Sequence, residues 1–225
     1  ENLGSIEVIK GPKGTAYGAN LGGAILLETN APSAEETRLV NTFTIGSFNM
    51  LKDNLSFTHY DNKFRISLSY NHLETDGYRQ NNRFERDGVL LNTTFQLAEK
   101  SSLSYVLNYI DYTAYIASSI NQTDFEEDPK RAASNWLAAK GFEANNYVLT
   151  GLSHTYQFSD KLKNTTSIFY TYLDHYEPRP FNILDEFTNG FGFRSQFERQ
   201  WGTGTYVLGT ELYKDEYHWG TFQNL

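Results

Sequence analysis

The sequence predicts an all-β protein whose strands form a transmembrane antiparallel β-barrel. Apolar and polar residues alternate over long segments, most regularly at 64–72, which indicates strands with two different faces. These segments run for roughly 9 to 14 residues, enough to cross a bilayer at a tilt, whereas strands of soluble proteins average about 5 or 6. The connections are short at one end of the hairpins and mostly long at the other, as in outer-membrane barrels.

The composition is compatible with this class and argues against others. The chain has 225 residues, no cysteine and a net charge of −8. Without cysteine there is no disulfide framework and no cysteine-based metal site, and the negative charge argues against binding of nucleic acid. No apolar run reaches the roughly 18 residues of a transmembrane helix. Alternating membrane strands, by contrast, average to a near-neutral hydropathy.

The first predicted element is a glycine-rich hairpin over residues 6–29. Residues 6–9 and 24–27 favour strands, and the turn between them is crowded with glycines, which permit tight turns and close backbone approach. A phosphate loop would place its lysine after the second glycine, but Lys10 and Lys13 each precede a glycine. The spacing also departs from the Gly-x-Gly-x-x-Gly of dinucleotide sites, and no helical pattern follows.

This hairpin resembles the end of the plug domain of TonB-dependent outer-membrane receptors. The family pattern is roughly I-E-V-x-x-G-P, then Y-G, then G-G-x-I-N. The present sequence has Ile-Glu-Val-Ile-Lys-Gly-Pro from residue 6, and Leu26-Leu27 where many relatives have Asn and Ile. The matching positions, to which the resemblance gives a structural role, are Gly11, Pro12, Tyr17, Gly18, Gly22 and Gly23.

The resemblance divides the chain into two parts. Residues 1–31 are expected to be the C-terminal end of the plug domain. Residues 32–225 are expected to be the first nine or so strands of a barrel that family members close with 22. Because the chain begins with Glu1 and its one methionine is Met50, we expect it to be an internal fragment.

Nine strands are predicted after the hairpin, each with one apolar face. They lie near 38–48, 55–60, 64–76, 89–97, 103–109, 147–158, 162–175, 191–200 and 205–214. Four aromatic residues beside the short turns are expected to form a membrane-interface girdle: Tyr60, Phe64, Tyr156 and Phe158. Short turns are predicted near 61, 99, 160 and 203, and long extracellular loops near 77–87, 113–146 and 176–190. The second loop contains a predicted helix at 128–141, with Asp128 as its N-cap and Gly141 as its stop.

The resemblance implies TonB-dependent active import of a ferric siderophore, another iron complex or cobalamin across the bacterial outer membrane. The implied partners are TonB of the inner-membrane energy complex, the metal chelate and outer-membrane lipid. Iron would be carried only as a chelate, so no cofactor, resident metal or catalytic residue is expected, and the protein is not expected to be an enzyme.

Cations and aromatic residues of the predicted loops are the candidate ligand-binding residues. They could hold an anionic chelate by charge-assisted hydrogen bonds and cation–π contacts. They are Arg79, Arg83, Arg86, Lys130, Arg131, Trp136, His175, Tyr176 and Arg179. For each of them, a solvated loop charge or a contact with surface lipopolysaccharide is the alternative interpretation.

Three other functions remain open at this point. A glycan importer of the same fold and a soluble all-β ligand-binding module are both compatible with the strand pattern. A passive porin has no plug, so the glycine-rich hairpin argues against it.

Overall fold

The computed structural model describes residues 3–11, 22–29 and 35–224. A separate hairpin of β1 (Leu3–Lys10) and β2 (Gly23–Thr29) precedes a nine-stranded antiparallel sheet. Each strand of that sheet pairs with its neighbours in the chain, so the predicted nine strands are confirmed. The sheet strands are β3 (Glu36–Gly46), β4 (Met50–Tyr60), β5 (Phe64–Thr75), β6 (Phe84–Ala98), β7 (Ser101–Tyr115), β8 (Phe142–Ser159), β9 (Leu162–Pro178), β10 (Ile183–Trp201) and β11 (Gly204–Phe222).

The two sides of the sheet differ in chemistry, as the alternation predicts. On β5, Ser67 and Ser69 are each 5% exposed, whereas Leu68 between them is 37% exposed. We call the side of Ser67 the polar face and the side of Leu68 the apolar face. The same two faces continue across neighbouring strands, because Leu68 pairs with Leu91, which in turn pairs with Leu107.

Three of the four residues predicted to form a membrane-interface girdle share one face of the sheet. Phe64, Tyr156 and Phe158 lie on the apolar face beside short turns, and the rings of Tyr156 and Phe158 are 4.8 Å apart. The prediction for Tyr60 was wrong. Its ring lies on the polar face, 4.5 Å from the guanidinium carbon of Arg65, because Tyr60 has the opposite parity to the apolar positions of β4.

The connections distinguish the two ends of the sheet. Those at the short-turn end are residues 61–63, 99–100, 160–161 and 202–203, and those at the long-loop end are residues 47–49, 76–83, 116–141 and 179–182. The long loop predicted at 176–190 was therefore wrong, since β9 and β10 leave only four residues between them. Pro178 is the last residue of its strand, where a missing N–H disturbs the ladder least. The two flanking strands have 17 and 19 residues, so they extend well beyond a bilayer span.

The helical prediction within the second loop was also wrong in detail. Two short helices replace it, α1 (Gln122–Glu127) and α2 (Ser134–Ala139). Asp128 ends α1 instead of starting a helix, because its N–H donates to the carbonyl of Asp124. Lys140, at φ 49°, ends α2 one residue before the predicted stop. None of the helices in the described part of the chain is long and apolar enough to cross a membrane.

The turn at residues 61–63 is held by the Asp61 carboxylate. Its Oδ1 accepts from the backbone N–H groups of Lys63 and Phe64, both at 2.8 Å. These bonds favour the charged form and lower the pKa of Asp61. These bonds therefore stabilise the turn at pH values above the ordinary carboxyl pKa. That contribution is lost as the pH falls through the lowered pKa of Asp61.

The glycine-rich hairpin shows why one of its glycines is required. At Gly23 the φ is 125°, and an added Cβ would lie 2.0 Å from the carbonyl oxygen of Ile9. Gly11 closes the described part of the turn by donating to the carbonyl of Gly22 at 3.3 Å. Pro12, Tyr17 and Gly18 lie outside the described residues, as does the predicted domain boundary after residue 31. The plug assignment of this hairpin stays a prediction.

Replacing Gly192 with valine is expected to destabilise the sheet by about 1–3 kcal/mol, because the tip of the Phe169 ring occupies the space beside this glycine. An added Cβ would meet three atoms of that ring at 2.0, 2.2 and 2.6 Å. The loss would be measured as the thermal midpoint of the folded protein in detergent. Gly204→Val is the matched control, since a Cβ added at Gly204 would meet nothing closer than 3.6 Å; equal losses in both variants would contradict the packing argument.

Candidate ligand-binding surface at the long-loop end

Two loops, residues 76–83 and 116–141, pack against each other at the long-loop end. Arg79 joins them: its Nε and Nη2 donate to the carbonyl of Arg131 at 3.1 and 2.7 Å, and its Nη1 donates to the carbonyl of Ser118 at 2.6 Å. Ala117 and Ala132 are buried in the second loop, at 5% and 2% exposure. The loops therefore form one packed layer, which we call the loop layer.

The ends of the loop layer are fixed to the strands below it. Asn81 Nδ2 donates to the carbonyls of Ile116 and Gly141, both at 2.9 Å. The Trp136 ring of α2 packs on Gly141. The carbonyl oxygen of Pro178 lies at the same position, 3.1 Å from where a Cβ on Gly141 would be. Through Trp136, the loop layer reaches the outer end of β9.

The loop-layer cations already have partners within the chain. Arg131 forms ion pairs with Asp124 and, at 3.6 Å, with Glu127. The ammonium of Lys130 lies 5.8 Å from the ring centre of Tyr78. Neither cation is a bare charge, so an anionic ligand would have to compete with these contacts.

A second group of cations lines the polar face below the loops. Arg86 donates to Asn71 Oδ1 at 3.1 Å, while its buried Nε has no hydrogen-bond partner in the structure. Its side chain borders a cavity of about 200 Å³. The other lining residues are Lys52, Asn54, Ser69, Asn71, Gly88, Val89, Leu90, Asn108 and Ile110. An unsatisfied guanidinium N–H beside a polar cavity is suited to donating to an oxygen-rich ligand.

His175 and Arg179 are connected through Glu177 at the outer end of β9. His175 Nδ1 donates to Asn145 Oδ1 at 2.9 Å, and its Nε2 lies 3.6 Å from Glu177 Oε2. Arg179 forms an ion pair with the same Glu177 oxygen and lies 6.0 Å from the ring centre of Phe181. The side chains of His175 and Glu177 are only 14% and 15% exposed, so this is a partly dehydrated charge cluster.

The structure sorts the nine predicted ligand residues into separate sets. Arg79, Lys130, Arg131 and Trp136 belong to the loop layer, and Arg86, His175 and Arg179 belong to the sheet below it or to its rim. Arg83 is exposed and paired with Glu85 at 2.8 Å. Tyr176 does not join His175, because the two lie in a strand and alternate in direction; its ring faces Phe142 at 6.1 Å on the apolar face.

Several polar residues beside the predicted ones were missed by the sequence reasoning. Lys52, Asn71 and Asn145 line the same polar face, and Tyr112 donates to Glu143 Oε1 at 3.1 Å. The available signal was the parity of each strand, because the register places all four residues on the face of Ser67 and Ser69. These residues lie in strands, whereas the ligand residues were predicted in loops.

The fold is similar to that of solved receptors and transporters. The ferric preacinetobactin receptor BauA from Acinetobacter baumannii has a TM-score of 0.80 at 15% identity, over 99% of this chain and 37% of that chain. The pyoverdine outer membrane receptor FpvA from Pseudomonas aeruginosa PAO1 has 0.79 at 12%, over 99% and 36%. The copper transporter OprC has 0.76 at 17%, over 98% and 34%.

The likeness to these proteins lies in the fold and much less in the sequence. No protein-family model matches the chain, and no curated protein sequence matches it. The chain spans little more than a third of the length of the three solved proteins, none of which is an enzyme by its description. The predicted fold class is confirmed: the nine strands form part of a β-barrel of the kind found in these receptors.

Proposed function

We propose that the chain is a section of a TonB-dependent outer-membrane transporter that imports a ferric siderophore or a related metal chelate. In this proposal the hairpin β1–β2 is the end of the plug, and β3–β11 are the first strands of the barrel wall. The apolar face meets lipid, and the polar face lines the lumen. The long-loop end faces the medium.

The height of the apolar band is the observation that carries this proposal. Along β6, ten residues separate Leu97 near the short turn from Asp87, and the apolar-face residues between them are uncharged. Ten residues extend for about 33 Å, which becomes about 25 Å across the membrane at a tilt near 40°. That matches the apolar band of outer-membrane barrels.

Both edges of the band have the chemistry of a membrane interface. At the outer edge, Tyr70 donates to Asp87 at 2.6 Å and Tyr109 to Asp111 at 3.3 Å, so each ring stays in the band while its hydroxyl reaches a charge. The residues at the height of Asp87 on neighbouring strands are polar: Asp53, His72, Asp111, Asn146 and Asp174. At the inner edge, the rings of Phe64 and Phe95 lie 4.5 Å apart.

The cargo is inferred from the charges of the polar face and the loop layer. Arg86 on the polar face and Arg179 at its rim are cations around the space that a ligand would enter, and the loop layer adds Lys130 and Arg131. Anionic oxygens of a metal chelate suit such donors. A ferric complex is the ligand in the description of one similar protein, and pyoverdine is the ligand in the description of another. TonB would supply the energy by pairing with a segment of the plug. That segment is not one of the described strands.

Growth on single iron sources tests the proposed transport. A strain that lacks the full-length protein is expected to lose growth on one class of ferric chelate and to keep growth on the others. Deleting TonB in the parent strain should abolish the same growth. Uptake of the radiolabelled chelate would be measured in parallel to separate transport from growth effects.

Two outcomes would count against the proposal. If the deletion strain and its parent grew equally on every iron chelate, the protein would not be the importer of any of the chelates tested. Purification of the full-length protein as a monomer without detergent or refolding would favour the soluble binding module instead.

A further inference from the structure

The geometry points to a binding site for the headgroup of an anionic phospholipid on the apolar face at the short-turn end. The site is a cleft of about 610 Å³ over β9, β10 and β11. Its lining residues are Leu162, Phe197, Arg199, Trp201, Tyr206, Val207 and Leu208. The inference rests on the membrane location in the proposed function but concerns neither the cargo nor its path.

Arg199 is the centre of this cleft. In the sheet register it pairs with Leu162 on one side and with Tyr206 on the other. Along its own strand, the next residues on the same face are Phe197 and Trp201. Its guanidinium carbon lies 5.2 Å from the ring centre of Trp201. The charge is therefore surrounded by apolar and aromatic side chains within the face.

The nearby acids do not neutralise Arg199. Glu198 pairs with Lys163 at 3.1 Å, and Glu211 pairs with Arg194 at 3.2 Å, both on the polar face. On the apolar face of the described strands, the other lysine or arginine is Lys214, which is bonded to Glu216. Among the described residues, Arg199 is thus the cation of this face without an acidic partner.

The ligand follows from the position and the charge. A guanidinium binds phosphate through two parallel N–H donors, and aromatic rings such as Trp201 and Tyr206 are enriched at the headgroup level of membranes. The next pair on this face, two residues farther from the turn than Arg199 and Tyr206, is Phe197 with Leu208. This pair continues the apolar surface towards the bilayer centre, where acyl chains would lie. A phospholipid presents a phosphate and acyl chains in this order, so one molecule satisfies both parts of the cleft.

Native mass spectrometry of the full-length protein in mild detergent tests this site. The protein would be mixed with phosphatidylglycerol or with phosphatidylcholine, and the retained lipids counted. The wild type is expected to retain phosphatidylglycerol preferentially, and Arg199→Gln to reduce that retention about fivefold, the effect of one cation near an anionic headgroup. Arg199→Lys should retain an intermediate amount, because it keeps the charge without the fork.

Arg194→Gln is the matched control, since it removes an arginine from the polar face of the same strand. It is expected to leave phosphatidylglycerol retention unchanged, and heat-modifiable electrophoretic mobility would show that each variant is folded. Equal retention by Arg199→Gln and wild type would overturn the site, as would displacement of the lipid by inorganic phosphate, which would identify a free anion as the ligand. Chelate binding measured on the same samples separates the two proposals, because the Arg199 variants should bind chelate like the wild type.

Discussion

Arginine in place of Leu107 is expected to destabilise the folded barrel in a lipid bilayer by about 2–4 kcal/mol. Leu107 lies midway up the apolar band of β7 and pairs with Leu91 and Thr150 on the same face. A guanidinium there would have to enter hydrocarbon or bend the chain towards an interface, and this penalty is largest at the bilayer centre. The free energy of unfolding would be measured by titrating the full-length protein in lipid vesicles with the denaturant guanidinium chloride.

Val106→Arg is the matched control for this substitution. Val106 is the preceding residue, and it borders a polar-face cavity of about 320 Å³ together with Arg65, Ser67 and Asn92. A guanidinium there can stay in lumen water, so we expect a loss below about 1 kcal/mol, as for lumen positions that tune selectivity more than stability. Equal losses at the two positions would contradict the assignment of the apolar face to lipid.

The same alternation explains which parts of the fold could be predicted. A face is a local property, so the parity of Ser67 and Leu68 is visible in the sequence itself. The end of a strand depends on its neighbour, because each added residue must find a ladder partner. A long loop was predicted at 176–190, yet Ile183 continues the pairing of β10 opposite Pro178. Such continuation depends on the pairing of two strands, which the composition of either strand alone does not show.

The candidate site was harder to predict for a related reason. Residue type alone identified Arg79, but its role came from the carbonyls of Arg131 and Ser118, which the fold brings to it from more than 35 residues away. Tyr176 and His175 are adjacent in sequence, and both were predicted as ligand-binding residues of one loop. Their separation followed once the segment proved to be a strand, whose neighbouring side chains point to opposite faces.

Alanine in place of Arg79 is expected to loosen the loop layer and to weaken chelate binding about 10- to 150-fold. The substitution removes three charge-assisted hydrogen bonds and leaves the carbonyls of Arg131 and Ser118 without these donors. Bonds to a charged group contribute about 1.5–3 kcal/mol, which sets the range. Limited proteolysis should cut residues 116–141 faster, and calorimetry with the cognate chelate would measure the affinity. The barrel should unfold as in the wild type, because Arg79 contacts loops and not the strand ladder.

Two further variants separate a loop-positioning role from a simple loss of charge. Arg79→Lys keeps the charge but replaces three donor nitrogens with one, which cannot reproduce the fork between the two carbonyls, so we expect it to resemble the alanine variant. Arg83→Ala removes an exposed arginine whose partner is Glu85 at 2.8 Å, and surface pairs of this kind contribute about 0–1 kcal/mol. If Arg83→Ala weakened chelate binding as much as Arg79→Ala, the loss would come from the removed charge or from a direct contact of Arg83, and positioning of the loops by Arg79 would not be needed to explain it. If Arg79→Ala left the loop resistant to protease, the hydrogen bonds of Arg79 would not be what holds the layer together.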